Sequence, residues 1–240
     1  MTKHCDLTFP TAEENLACDE ALLDWAEEGL KEGVLRVWEP ARYFVVLGYA
    51  NKLATEVNIG FCRQNTIPIL RRCSGGGTVL QGPGLLNYAL ILRADADGPL
   101  HSVTAANRFI MERHRDALSH LLRAPVEIQG HTDLTIGGLK FSGNSQRRRK
   151  RCLLFHGTFL LHFDIDLIEK ALPLPSSEPD YRLSRAHAEF LMNLKIHRDL
   201  LKKALMQTWK AESSLPGIPH ERIESLVREK YSREEWMAKF

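Results

Sequence analysis

The chain has 240 residues, 44% of them apolar, with 32 basic against 30 acidic side chains and a net charge of +2. That length and apolar content suffice for one α/β unit with a sizeable core and exclude a disordered chain. The near balance of charge argues against a dedicated nucleic-acid binder, whose surface is strongly basic, and no stretch approaches the roughly 18 apolar residues of a membrane span.

In chain order, residues 11 to 30 read as a helix. Ala17, Ala21, Leu22, Trp25 and Ala26 form its apolar stripe, and Thr11 with Glu14 forms a capping-box pattern. Strands are expected at about Val34–Trp38, Tyr43–Leu47 and Pro68–Arg72, the last running into a glycine triplet. Leu85–Leu92 is continuously apolar, as a strand covered on both faces would be. Residues 103 to 123 read as a helix. Three β segments follow at about Val126–Gln129, Leu134–Ser142 and Cys152–Leu161, then a helix at Leu167–Leu172 that stops at Pro173. The remainder is charged and helical, with helices expected at about 196–212, 219–230 and 232–238 and a hinge at Ser213–Pro219. Strands dominate the front and middle and helices the end. The expectation is therefore an α+β fold, a mixed β-sheet core flanked by helices, in a single unit over 1–240 with a helical C-terminal segment from about 196.

The five cysteines (Cys5, Cys18, Cys62, Cys73 and Cys152) are odd in number, scattered and without a CxxC pair. They read as reduced thiols rather than as a disulfide framework or a zinc site. The polar start Met1–Asp6 is followed by no signal-peptide run, so the expected compartment is the cytoplasm.

Four segments can carry chemistry. In Arg71–Thr78 (RRCSGGGT) three glycines follow a strand. Such a backbone can approach a ligand and aim N–H groups at an anion, and the arginine before it can hold a carboxylate or phosphate; a plain flexible turn is the competing reading. It is neither a GxGxxG fingerprint nor a P-loop. In Gly137–Gln146 (GGLKFSGNSQ), Lys140 lies in a β-like alternation, placed either to stabilise an oxyanion or simply to solvate an edge strand. His156, inside the apolar Leu153–Leu161, is either a satisfied core residue or a ligand contact. The basic run Arg147–Arg151 reads as a solvated loop or as a site for triphosphate or an acidic partner.

Together these residues resemble the lipoate–protein ligase family, within the superfamily of biotin/lipoate ligases and lipoyl/octanoyl transferases. RRCSGGGTVLQGPGLLNYAL is similar to the arginine–SGGG motif, GLKFSGNSQ to the lysine motif downstream, and LFHGTFLL to the histidine–glycine–threonine strand after it. Asn15–Glu20 and Trp38–Pro40 match the opening helix and strand, and Lys230–Trp236 (KYSREEW) the segment closing the catalytic domain. The resemblance implies that Lys140 is the catalytic residue, contacting the acyl carbonyl and the neighbouring phosphate. It implies that Arg72, Ser74, Gly75, Gly76, Gly77 and Thr78 line the acyl and carboxylate region. Asp133, Ser142, Gly143, Asn144, Ser145, His156 and Gly157 would complete the adenylate site. The implied reaction uses ATP as its Mg2+ complex to activate lipoate as an acyl adenylate, which a lysine of a lipoyl acceptor domain then attacks; no resident metal, nucleic acid or membrane partner is implied.

Two branches of the superfamily compete. Transferases with a cysteine nucleophile carry it shortly before the lysine, where this chain reads Gly130–Leu134 (GHTDL) without cysteine; Cys73 and Cys152 stand elsewhere and read as structural. The ligase is favoured. ATP-independent transfer of an octanoyl or lipoyl group is the alternative, and a non-catalytic binder of lipoylated proteins the third. Many ligases add a C-terminal accessory domain, which here would have to come from a separate accessory subunit or be dispensable, or else the chain only transfers a preformed activated acyl group. Gln81 and Gly82 replace the His-Asp often found after the glycine loop, so substrate contacts there are expected to differ.

Overall fold

A computed structural model describes residues 1–240. The chain opens with strand β1 (Thr2–Asp6) and helix α1 (Ala12–Glu28). The Thr11 hydroxyl accepts the Glu14 N–H at 3.2 Å, and the Glu14 carboxylate accepts the Thr11 N–H at 3.0 Å, so two orphan donors of the first turn are satisfied. Next come β2 (Gly33–Trp38), β3 (Phe44–Leu47), the short helices α2 (Leu53–Glu56) and α3 (Ile59–Gln64), then β4 (Ile69–Arg71), β5 (Val79–Gln81) and β6 (Leu85–Arg93). Helix α4 (Val103–Leu122) leads into β7 (Glu127–Gln129), β8 (Asp133–Ile136), β9 (Leu139–Arg148) and β10 (Cys152–Leu160). The remaining elements are α5 (Ile165–Ala171), α6 (His187–Phe190), α7 (Arg198–Thr208), β11 (Ser213–Ser214), α8 (His220–Leu226) and α9 (Glu234–Met237).

Eight strands form a mixed sheet in the order β11-β1-β2-β6-β10-β9-β8-β7, and a small sheet has the order β4-β3-β5. β6 lies between β2 and β10 and is covered on both faces, which explains its unbroken apolar sequence. Alternate residues serve two cores: Leu86, Tyr88 and Leu90 face the helices α4 and α7, whereas Ala89 and Ile91 face α1 and the small sheet. β10 divides in the same way, with Phe155 and Phe159 on the first side and Leu154 on the second. A third core joins the small sheet to α5. No helix is long and apolar enough to cross a membrane.

The expected helices and most strands form within a few residues of their anticipated limits. Besides the short helices α2, α3 and α6, which were not anticipated, four features differ. Leu134–Ser142 is not one strand: Gly137 and Gly138, at φ of 56° and 76°, turn it into the β8–β9 hairpin, since a two-residue turn of this hand needs positive φ at both positions. Ser213–Ser214 is no hinge but an edge strand paired with β1, itself an unexpected strand in a polar segment. The small sheet closes through β5, which had no sequence signal of its own. Two of the five charges of the basic run are paired at home, Arg149 with Asp24 at 2.8 Å and Arg151 with Glu27, and Arg148 donates to the Leu100 carbonyl.

Candidate active site

On the α1 side of the large sheet a cleft of about 1080 Å³ opens between the two sheets, with Leu16 and Asp19 of that helix in its lining. The hairpin geometry brings Lys140 into it. Its ammonium stands 2.9 Å from Asp133 Oδ1 and lies over Gly143, where a built Cβ would come within 3.0 Å of Nζ. The absent side chain at 143 therefore makes room for the lysine. Asp133 Oδ2 accepts the Tyr181 hydroxyl at 2.8 Å, and the Phe190 ring lies 6.0 Å from the ammonium. The segment carrying Tyr181 and Phe190 thus fixes the lysine from the far side. Burial, with the Asp133 carboxylate beside it, raises the Tyr181 phenol far above its ordinary range, which keeps it a neutral donor.

The glycine loop faces the same cleft, but Arg72 does not act as the free carboxylate clamp anticipated from sequence. Its guanidinium turns inward: Nε donates to Ser74 Oγ at 3.0 Å, and Nη2 donates to the carbonyls of Gly75 and, at 2.8 Å, Gly77. Burial lowers it to about 10, still high enough to hold its charge at neutral pH. Ser145, across the cleft, also donates to the Gly75 carbonyl at 2.8 Å. Because a peptide plane points its C=O and following N–H in opposite directions, the Gly76 and Thr78 N–H groups point away from the arginine. Neither has a backbone acceptor in the protein. Anion-binding capacity here therefore resides in backbone N–H groups, with Arg72 as their organiser. Arg71 is likewise structural: it donates to the Gly48, Tyr49 and Asn51 carbonyls and to those of Trp236 and Met237, tying α9 to the loop.

A continuous hydrogen-bond path supports the loop from behind. Ser74 Oγ, accepting from Arg72, lies 2.6 Å from His156 Nε2; His156 Nδ1 lies 3.3 Å from Asp19 Oδ2; and Asp19 Oδ1 binds the fully buried Arg36 at 2.6 Å. The order of groups matches a serine–histidine–aspartate triad, yet Ser74 is buried and does not line the cleft. Its hydroxyl is a strut rather than a nucleophile. Asn144 is pinned in the same manner, donating to the Thr132 carbonyl and accepting from the Tyr88 hydroxyl, both at 2.6 Å.

Of the residues anticipated from sequence, Lys140, Arg72, Gly75, Gly76, Gly77, Thr78, Asp133, Gly143, Asn144, Ser145, His156 and Gly157 all line this one cleft. Ser74 and Ser142 do not; Ser142 is fully buried beneath Asn144. Gln81, expected to alter the substrate contacts, lines it, and so do Asp19, Tyr181 and Asn87, which were not foreseen as site residues. Asp19 did carry a signal, a carboxylate inside the apolar face of α1. All five thiols are buried, and burial pushes Cys73 up to about 12 and raises Cys152 as well. Neither lines the cleft, and a thiol so shifted is a poor nucleophile.

A family model described as the lipoyl protein ligase A/B catalytic domain matches residues 11–226. Lipoate-protein ligase A subunit 1 of Thermoplasma acidophilum is 27% identical, with 92% of this chain and 90% of that protein covered. The octanoyltransferase LipM of Halalkalibacterium halodurans is 26% identical over 92% and 93% of the two chains. A crystal structure of lipoate-protein ligase A bound with ATP superposes with a TM-score of 0.85 at 24% identity, covering 100% of this chain and 99% of that one, which establishes the common fold.

Proposed function

The chain belongs to the lipoyl protein ligase A/B catalytic domain family, and from that premise we propose that it joins lipoate, or a related medium-chain acid, to a lysine of a lipoyl acceptor domain through an acyl adenylate. The observation that supports this is one cleft shared by a carboxylate-held ammonium, Lys140, and a glycine loop whose Gly76 and Thr78 N–H groups have no backbone acceptor. The substrate carboxylate attacks the α-phosphate of ATP, brought as its Mg2+ complex; the bond to the β-phosphate breaks and pyrophosphate leaves. The amine of the acceptor lysine then attacks the acyl carbon, the bond to phosphate breaks, and AMP departs. Lys140 balances the negative charge that gathers on the phosphate and carbonyl oxygens, and the loop N–H groups supply fixed dipoles. Catalysis is positioning and electrostatics, with no covalent enzyme intermediate.

A second route, ATP-independent transfer from an acyl-carrier donor, is favoured by the octanoyltransferase relative. Its thioester form needs a reactive thiol, and the burial of all five thiols speaks for the ligase. The Thermoplasma relative is named as one subunit of its ligase, and a separate accessory subunit is part of the proposal here. The test is to incubate the chain, alone and together with an accessory-domain subunit, with lipoate or octanoate, MgATP and a lipoyl acceptor domain, and to follow the acceptor's mass. ATP-dependent gain is expected. Gain only from an acyl-carrier donor replaces the ligase with the transferase, and tight acceptor binding without gain replaces both with a non-catalytic binder.

A further inference from the structure

The register of the large sheet lays out the floor of the cleft as a straight row. Gly143 on β9 is opposite Thr158 on β10, Thr158 is opposite Asn87 on β6, and Asn87 is opposite Trp38 on β2. The Lys140 ammonium sits at the first of these positions, above Gly143. Adjacent strands lie about 4.8 Å apart, so the row runs about 14 Å from the lysine to Trp38, with Asn87 about 10 Å along it. Leu16, Trp38 and Val46 wall the far end with apolar surface.

Within that apolar end stands a closed ring of three polar side chains. The Thr158 hydroxyl donates to Asn87 Oδ1, Asn87 Nδ2 donates to Gln81 Oε1 at 2.8 Å, and Gln81 Nε2 donates to Thr158 Oγ1 at 3.0 Å. Gln81 and Asn87 are 5% and 3% exposed, and both line the cleft. The ring is directional, and each primary amide has two N–H groups. One N–H of Gln81 and one of Asn87 are spent inside it; no protein acceptor takes the second of either. An apolar chain end would leave two buried donors unanswered, whereas an acceptor atom at that depth would meet them.

We propose that Gln81 and Asn87 determine the acyl specificity of this site, selecting a medium-chain acid that carries a hydrogen-bond acceptor, sulfur or oxygen, near its far end over a plain alkanoic acid of the same length. This rests on the acyl-ligation reading, with the carboxyl end at Lys140 and the chain running along the row. Sulfur is a weak acceptor, so the preference for lipoate over octanoate is modest, about tenfold in kcat/KM, and an ω-hydroxylated octanoate gains at least as much.

The test compares lipoate, octanoate and 8-hydroxyoctanoate as substrates of the wild-type chain and of Gln81→Met and Asn87→Leu, which keep the volume and remove the amide. The expected result is that both variants lose the preference, through a fall with lipoate and 8-hydroxyoctanoate and a rise with octanoate. Calorimetric titration of the three acids reports the same order of Kd, and a thermal melt identifies a variant that has not folded; Gln81→Glu, which retains the acceptors but removes the amide donors, then serves as the second probe. Acid selectivity unchanged by the substitutions, or equal use of octanoate and lipoate by the wild-type chain, overturns the specificity assignment while leaving ligation intact. Failure to attach any of the three acids overturns the ligation reading itself.

Discussion

Adding one methyl group at Gly143 tests the placement of Lys140 without removing its charge. In Gly143→Ala the new Cβ would stand 3.0 Å from both Cε and Nζ of the lysine, where ordinary van der Waals contact begins at 3.4 Å. The ammonium must therefore retreat by about 0.4 Å or swing away, although Asp133 holds it at 2.9 Å. Gly143 does not require positive φ, so the substitution brings no backbone strain. A misplacement of 1 Å in a positioned group can cost about a hundredfold in rate, so a loss of about tenfold in acyl transfer is expected with thermal stability nearly unchanged. The contrasting substitution is Gly157→Ala, whose Cβ would fall 1.8 Å from Asn144 Oδ1 and 2.9 Å from the Gly143 carbonyl. Asn144 can yield only by giving up its bonds to Tyr88 and the Thr132 carbonyl. That should cost about 2–5 kcal/mol, or roughly 5–15 °C in Tm for a chain of this size. The assay is single-turnover transfer to the acceptor domain beside a thermal melt for each variant. A Gly143→Ala protein with wild-type turnover, or one that unfolds as readily as Gly157→Ala, would refute the placement of the ammonium over residue 143.

Lys140→Ala should remain folded and lose about 10²–10³-fold in turnover, the usual consequence of deleting one preorganised electrostatic group; near-normal turnover would remove the lysine from the mechanism. Cys152→Ser should retain activity in the acceptor-mass assay, since the thiol is buried and lies outside the cleft; complete loss in a folded protein would revive the thioester route. The buried His114 accepts the Trp209 indole N–H at 2.9 Å, and burial depresses it from 6.5 to about 3. It stays neutral in the folded chain while the unfolded chain takes up a proton below about pH 6.5. Its contribution is therefore complete above that pH and is lost as pH falls, by about 1.4 kcal/mol per pH unit down to about pH 3. Urea unfolding of His114→Gln between pH 4.5 and 7 should show a shallower decline than wild type; an identical slope would contradict the assignment.

Local chemistry made much of the fold legible. The Thr11–Glu14 box started α1, the uninterrupted apolar run at Leu85–Leu92 announced a central strand, and Pro173 marked the stop after α5. The errors cluster where pairing is non-local. Thr2–Asp6 and Ser213–Ser214 are polar and short: the first becomes a strand because β2 pairs along its whole length, and the second only because β1 offers backbone partners some 210 residues away. The Gly137–Gly138 turn was visible as two glycines but was absorbed into a longer strand, because an alternating pattern continues across it.

Residue order was enough to show which groups gather: the arginine–glycine loop, Lys140 and His156 stand in motifs whose order and composition single them out, and they line one cleft. What each does there depends on which groups the folded chain brings within reach. Whether Arg72 grips a ligand or its own loop depends on which carbonyls lie within reach of a buried guanidinium, and Gly75 and Gly77 take every opportunity it has on that side. The same holds for Asp133 and Tyr181 on the lysine, and for the ring of Gln81, Asn87 and Thr158, whose members come from three strands in two sheets. A hydrogen bond is decided over three ångströms of space, and residue order alone does not specify that distance.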